Sequence, residues 1–208
     1  MSQFIESIKI EDQKIFLADL HQSRVNKTFE HFGKEGSVNI EEIYKNLQHD
    51  EDGLYKLRIT YDLDRKFRTQ MIPYAISEID NFLLVENNSY DYSFKFEDRK
   101  ELEKMKTLSK ADEIIIVKNN HITCTSFSNL LFKKGKDWFT PTTYLLNGVQ
   151  RQHLLKNKKI KEAEITPQNL KEYSHFQVIN SMNDFDDMFI YPISKIKNLP
   201  EDSDYLHI

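Results

Sequence analysis

Lys95 is set between Phe94 and Phe96 in the run FKFEDR, a setting that could desolvate its amine. A lysine amine desolvated by apolar neighbours has a lowered pKa. It can then be neutral enough to attack a carbonyl carbon and later to act as a base. The plain alternative is a strand with one solvated lysine between two core aromatics. Those three residues alone favour that alternative, since lysines are mostly exposed. Other common chemistries lack their residues. The five glycines, at 33, 36, 53, 135 and 148, form neither a dinucleotide fingerprint nor a P-loop. The seven histidines make no HExxH pair, and no GxSxG run is present. Cys124 is the single cysteine, which excludes an internal disulfide and a multi-cysteine zinc site, so no metal site is expected.

A reactive lysine needs elements that hold it. The 208 residues allow one large domain or two small lobes sharing a core. A net charge of -4 argues against general nucleic-acid binding, which needs a basic excess. No apolar run approaches the roughly 20 residues needed to cross a bilayer, and no secretory leader opens the chain. A cytoplasmic setting is the default expectation. Residues 4–10 alternate as a strand, and 13–17 read as a second strand after a turn at Glu11 and Asp12. From Asp19 the spacing turns helical, with Leu20, Val25, Phe29 and Phe32 on one face and Gly33 as the stop. A second helix is expected over 38–47, and strands over 54–61, 67–76 and 82–85. The polar stretch ENNSYDYS at 86–93 marks the boundary between an N-terminal lobe, 1–89, and a C-terminal lobe, 90–208. Beyond it come a helix opened by Asp98, a hairpin over 113–124 turning at Asn119 and Asn120, strands at 129–133 and 138–139, helices at 148–155 and 167–173, and a buried strand at 176–180.

Four segments carry a pattern in order. FIES…HQSR places Glu6 fifteen residues before His21, with Arg24 completing His-x-x-Arg. YKLRITYD at 55–62 is the second, FKFEDR at 94–99 the third, and the long run from ADEIIIVKNN through TPTTYLLNGVQRQHLL at 111–155 the fourth. Together they resemble the class IV aminotransferases, which include branched-chain and D-amino acid aminotransferases and 4-amino-4-deoxychorismate lyase. The resemblance implies an α+β fold of two lobes, the fold type IV architecture of pyridoxal-phosphate enzymes: an N-terminal α/β lobe and a C-terminal β-rich, barrel-like lobe. It implies pyridoxal 5′-phosphate as cofactor, with Lys95 holding it and moving the proton. It assigns the cofactor phosphate to Arg24, groups Glu6 with the cofactor-binding residues, and places Val149 and Gln150 at a helix N-terminus that takes the phosphate through backbone N–H groups. Ser181 and Met182 fall where relatives make a further contact. Without the resemblance, Arg24 reads as a surface arginine and 180–183 as an ordinary turn. The partners implied are a small amino substrate and a second copy in a homodimer.

The departures from the pattern bear on the reaction. Relatives carry a glutamate at the position of Cys124, where it pairs with the protonated ring nitrogen. A thiol with a pKa of about 8.5 holds that proton far less well. The bland reading of Cys124 is a small buried hydrophobe. Gln150 replaces a threonine, so a hydroxyl is lost. A segment that precedes the glutamate in relatives is absent, and Ile5 stands where some have a tyrosine. A weaker electron sink handicaps transamination more than an elimination that forms an aromatic ring. The expectation is therefore a lyase converting 4-amino-4-deoxychorismate to p-aminobenzoate and pyruvate, a folate-pathway step. A branched-chain or D-amino acid aminotransferase is the alternative, and a relative that has lost its chemistry stays open. Arg58 is a candidate for a substrate carboxylate, or equally one half of a cross-strand ion pair.

Overall fold

A computed structural model describes residues 3–47, 52–183, 185 and 189–200, and the backbone of 206–207. The chain forms two units. The first comprises Met1–Ile76 with Phe94–Asp98, and the second Ser77–Ser93 with Arg99–Ile208. The sequence boundary at 89/90 differs from this division in two ways. The strand at 82–86 pairs within the second unit, and the short strip around Lys95 belongs to the first.

The first unit is an antiparallel sheet of four strands covered by helices. Strand β1 (Phe4–Glu11) lies between the short β2 (Lys14–Ile15) and β3 (Leu54–Tyr61), and β4 (Phe67–Pro73) forms the far edge. The β1–β2 turn sits at Asp12 and Gln13, both in the left-handed region, one residue later than expected. Helix α1 (Ala18–His31) buries His21, Val25, Thr28 and Phe29. Helix α2 (Ile40–Lys45) starts on Asn39, whose side-chain oxygen accepts from Glu42 N at 3.0 Å, an ordinary N-cap. The core gathers Phe4, Ile8 and Ile10 from β1, Leu57, Ile59 and Tyr61 from β3, and Val25 and Phe29 from α1. Alternate residues of a strand point to opposite faces, so this set fixes which side of the sheet the helices cover.

The second unit contains two open sheets. In one, β5 (Phe82–Glu86) pairs in parallel with β6 (Glu113–Lys118), which pairs with β7 (His121–Thr125). Asn119 and Asn120 are both left-handed, which is the type I′ turn their residue types favour. Helix α3 (Lys100–Ser109) buries Leu102 and Met105. The chain then turns over 125–128, with Thr125 N donating to Ser128 O at 2.8 Å, and enters the other sheet. That sheet has the order β10 (Lys161–Ala163), β9 (Asp137–Pro141), β8 (Asn129–Lys134), β11 (His175–Ile179), β12 (Tyr191–Pro192). Helix α4 (Val149–Lys156) packs Leu154 on Leu131 and Ile179. The final β13 (Leu206–His207) adds to β5 in parallel. The α+β, two-lobe expectation holds. The barrel-like lobe is corrected to two open sheets, because the 125–128 turn passes the chain from one sheet to the other and no ring closes among the described residues. No helix among them is long and apolar enough to cross a membrane.

Candidate active site

The fifteen-residue spacing between Glu6 and His21 becomes a contact. Glu6 is fully buried on β1, and its carboxylate takes Arg24 Nε at 2.9 Å, Arg24 Nη2 and His21 Nδ1 at 2.5 Å. His21 and Arg24 are three apart on α1, so they share a helix face and reach the same strand. Burial alone would raise the Glu6 pKa. The Arg24 charge and the His21 bond outweigh it and hold the carboxylate down at about 2. Burial also pushes His21 below its ordinary value, so the ring is neutral and is assigned as donating its Nδ1–H to the ionised Glu6. His21 Nε2 is then an acceptor, buried and without a partner among the described residues. Glu6 therefore spends its carboxylate on fixing one edge of the Arg24 guanidinium.

Lys95 lies beside the start of β1. Its carbonyl accepts from Ile5 N at 2.9 Å, and Glu97 N donates to Gln3 O at 2.8 Å. Phe94 and Phe96 anchor this strip. The Phe96 ring packs 5.2 Å from Phe4, and Phe94 stands against Phe32 and His31. Lys95 is near enough to His21 for its charge to help lower that ring's pKa. Arg58 is engaged by Glu97, with Nη2 at 3.3 Å from Oε1, and Arg68 Nη2 reaches the same oxygen at 2.5 Å. Glu97 lies outside the strands, so this is not the cross-strand pair that one sequence reading of Arg58 expected.

In the second unit, Gly148 opens α4 in a turn held by Asn129. The Asn129 amide donates to Leu146 O at 3.0 Å and accepts Gly148 N at 3.1 Å. A Cβ on Gly148 would come within 2.2 Å of the Asn129 oxygen, so the close approach requires glycine. The N–H groups of Val149 and Gln150 stand in the first turn, where a helix leaves its donors without intrahelical acceptors, and no bond among the described residues uses them. Asn180 bridges another turn: its amide donates to Ser128 Oγ at 3.0 Å and its oxygen accepts Met182 N at 2.8 Å. The Met182 N–H is thus already used, and Ser181 beside it is half-buried.

Cys124 is buried on β7, and burial pushes its thiol up to about 11. The Thr123 hydroxyl and the Leu145 N–H lower it only in part, and the nearby Glu113 charge raises it further. Glu113 itself is fully buried, accepts Ser126 N at 2.8 Å and pairs with Lys106 at 3.1 Å, while Arg99 Nη2 donates to Ser126 O at 2.5 Å. Glu113, Asn129 and Asn180 hold the loops of this unit, and sequence reasoning gave none of them a role. Their polar types at the ends of apolar strands were the only available signal.

A model of the amino-transferase class IV family matches residues 3–196. An uncharacterized protein of Haemophilus influenzae is 32% identical over 187 residues, which is 88% of this chain and 99% of that protein. A crystal structure from Haemophilus somnus, provisionally named a 4-amino-4-deoxychorismate lyase, is 32% identical with a TM-score of 0.82, covering 89% of this chain and 98% of that one. A Brucella abortus aminotransferase solved with bound pyridoxal phosphate shares the fold at 14% identity, with a TM-score of 0.64 over 91% of this chain and 79% of that one. The chain belongs to the class IV aminotransferases, a family of pyridoxal-phosphate enzymes.

Proposed function

We propose that this chain is a pyridoxal-phosphate-dependent lyase that releases pyruvate and p-aminobenzoate from 4-amino-4-deoxychorismate. The observation that carries the choice of reaction is the Cys124 thiol, held neutral by burial on β7. By the resemblance, that position faces the cofactor's ring nitrogen. A neutral thiol offers no anionic partner for a ring proton. A chain without that carboxylate favours the reaction that its own product drives, and loss of pyruvate from aminodeoxychorismate forms an aromatic ring.

Each unit, taken by itself, holds donors that suit an anion. In the second unit, the Val149 and Gln150 N–H groups at the start of α4 fit an anion. In the first, Arg24 presents a planar fork whose orientation Glu6 fixes. Pyridoxal phosphate, when bound, supplies an electron sink for breaking bonds at the amine-bearing carbon. Lys95 is the residue that holds the cofactor, and its Nζ takes the proton from that carbon. Similarity to the Haemophilus somnus structure over nearly its full length supports the lyase reading. The resemblance also implies a homodimer, which light scattering would check.

Protein incubated with pyridoxal phosphate and reduced with borohydride is expected to carry the cofactor's mass on the peptide containing Lys95. If saturating cofactor leaves no such mass, the reading fails at its first step. With aminodeoxychorismate as substrate, pyruvate and p-aminobenzoate should appear in equal amounts, and Lys95→Ala should abolish both. Amino transfer to a keto acid that outruns pyruvate release would replace the lyase with an aminotransferase.

A further inference from the structure

Arg58 and Arg68 stand on neighbouring strands and converge on one point. Thr60 is the direct cross-strand partner of Arg68, and Arg58 lies two residues before Thr60, so the three side chains share one face of the sheet. At their meeting point is the Glu97 carboxylate. Its Oε1 takes Arg68 Nη2 at 2.5 Å, Arg58 Nη2 at 3.3 Å and Thr60 Oγ1 at 3.4 Å. Gln3 braces the far side of Arg68, accepting from Nη1 at 3.3 Å. Two guanidinium groups and a hydroxyl around one carboxylate oxygen leave a net positive cluster, and that donor set binds carboxylates in general.

Three features set this cluster apart from an ordinary strut. The Glu97 side chain is 24% exposed and those of Arg58 and Arg68 are 32% and 56% exposed, so a solute can reach the site. Ion pairs of that exposure are weak, so one carboxylate readily replaces another. Glu97 also lies two residues from Lys95; the Lys95 carbonyl is bonded to Ile5 of β1 and the Glu97 N–H to Gln3 just before it, with Phe96 between them packed on Phe4. Glu97 therefore shares one short, anchored strip of chain with the reactive lysine.

We infer that Glu97 is a built-in occupant of the substrate's carboxylate position, and that a carboxylate-bearing substrate binds by displacing it from Arg58 and Arg68. The inference rests on the proposed function for Lys95 as the reacting residue. It assigns Glu97 and Arg68 to specificity: the chain rejects amines that bring no carboxylate to compete.

The test is calorimetry on the full chain saturated with pyridoxal phosphate. The probes are p-aminobenzoate, the carboxylate a lyase would release, and 4-methyl-2-oxopentanoate, one an aminotransferase would take, together with p-aminobenzamide as an uncharged control. Glu97→Gln should bind a carboxylate about fivefold more tightly than the natural chain, the effect of removing a partly exposed competitor, and should leave the amide unchanged. Arg68→Gln, at an exposed site, should weaken the carboxylates and not the amide. If Glu97→Gln binds carboxylates equally or less well, or gains as much for the amide, Glu97 is a structural brace and the inference is overturned. If Glu97→Gln does not fold, the Arg68→Gln result decides, and equal carboxylate binding by that variant overturns it too. Gain for the keto acid alone would keep the displaced carboxylate and remove the lyase reading. No binding of either carboxylate to any of the three proteins also overturns the inference.

Discussion

Glu6 and Cys124 both stand on buried strands, yet one is held ionised at about 2 and the other neutral at about 11. Burial raises both groups. What separates them is company. Glu6 meets an arginine fork and a histidine N–H from one face of α1, which together outweigh desolvation. Cys124 meets a hydroxyl 3.8 Å away and one backbone N–H, and the nearby carboxylate of Glu113 acts against ionisation. A buried ionisable group thus takes its state from the partners that the neighbouring element brings.

The contrast can be broken from the Glu6 side first. Glu6→Gln strands the Arg24 charge in a nearly dry site and should cost about 4 kcal/mol in urea unfolding. Next, both depressed groups make the first unit acid-sensitive. Stability linked to His21 is full above its ordinary value of 6.5 and starts to fall below it, because the unfolded ring takes a proton that the folded ring resists. Stability linked to Glu6 is full above 4.5 and is lost as pH falls toward about 2, on the order of 3 kcal/mol. Melting curves between pH 7 and 3 should drop in that sequence, and a flat profile would refute the ionised network. Gly148→Ala comes third: a Cβ against the Asn129 oxygen should cost about 2 kcal/mol and loosen the turn at the start of α4, read as faster amide exchange there. Smallest is Cys124→Ala, expected to change unfolding free energy by under about 1 kcal/mol because the thiol gives up only weak partners. If it costs as much as Glu6→Gln, the contrast drawn between the two sites is wrong.

Much of this was legible in the sequence. Alternation gave the strands of both units, and the Asn119–Asn120 turn followed from residue type alone. Other elements were misjudged for local reasons. The expected strand at 13–17 shrinks to two residues because Asp12, Gln13 and Leu17 all adopt left-handed backbone. The expected helix at 167–173 is a single 3₁₀ turn over Leu170–Glu172, with backbone bonds three residues apart from Glu172 N to Asn169 O at 3.0 Å and Tyr173 N to Leu170 O at 3.1 Å. The pairings of β10, β12 and β13 involve two or three residues and leave no periodic trace. In the candidate site, Glu6, His21 and Arg24 were readable because one spacing joins a strand to a helix face. The Gly148–Asn129 and Arg99–Ser126 contacts were not, since they join residues 19 and 27 positions apart with no pattern between them.

The strip Phe94–Asp98 has a further consequence, for how the chain acquires its shape as it is made. The first unit needs Phe94 and Phe96 in its core and the strip's backbone beside β1. It cannot be finished when residue 76 leaves the ribosome, and must wait until residue 98 has emerged. By then 77–93, with β5, is already exposed and still lacks β6, its parallel partner from 113 onward. An apolar strand awaiting a later neighbour is an aggregation risk. A nascent chain stalled between residues 98 and 113 should be the one that most needs a chaperone.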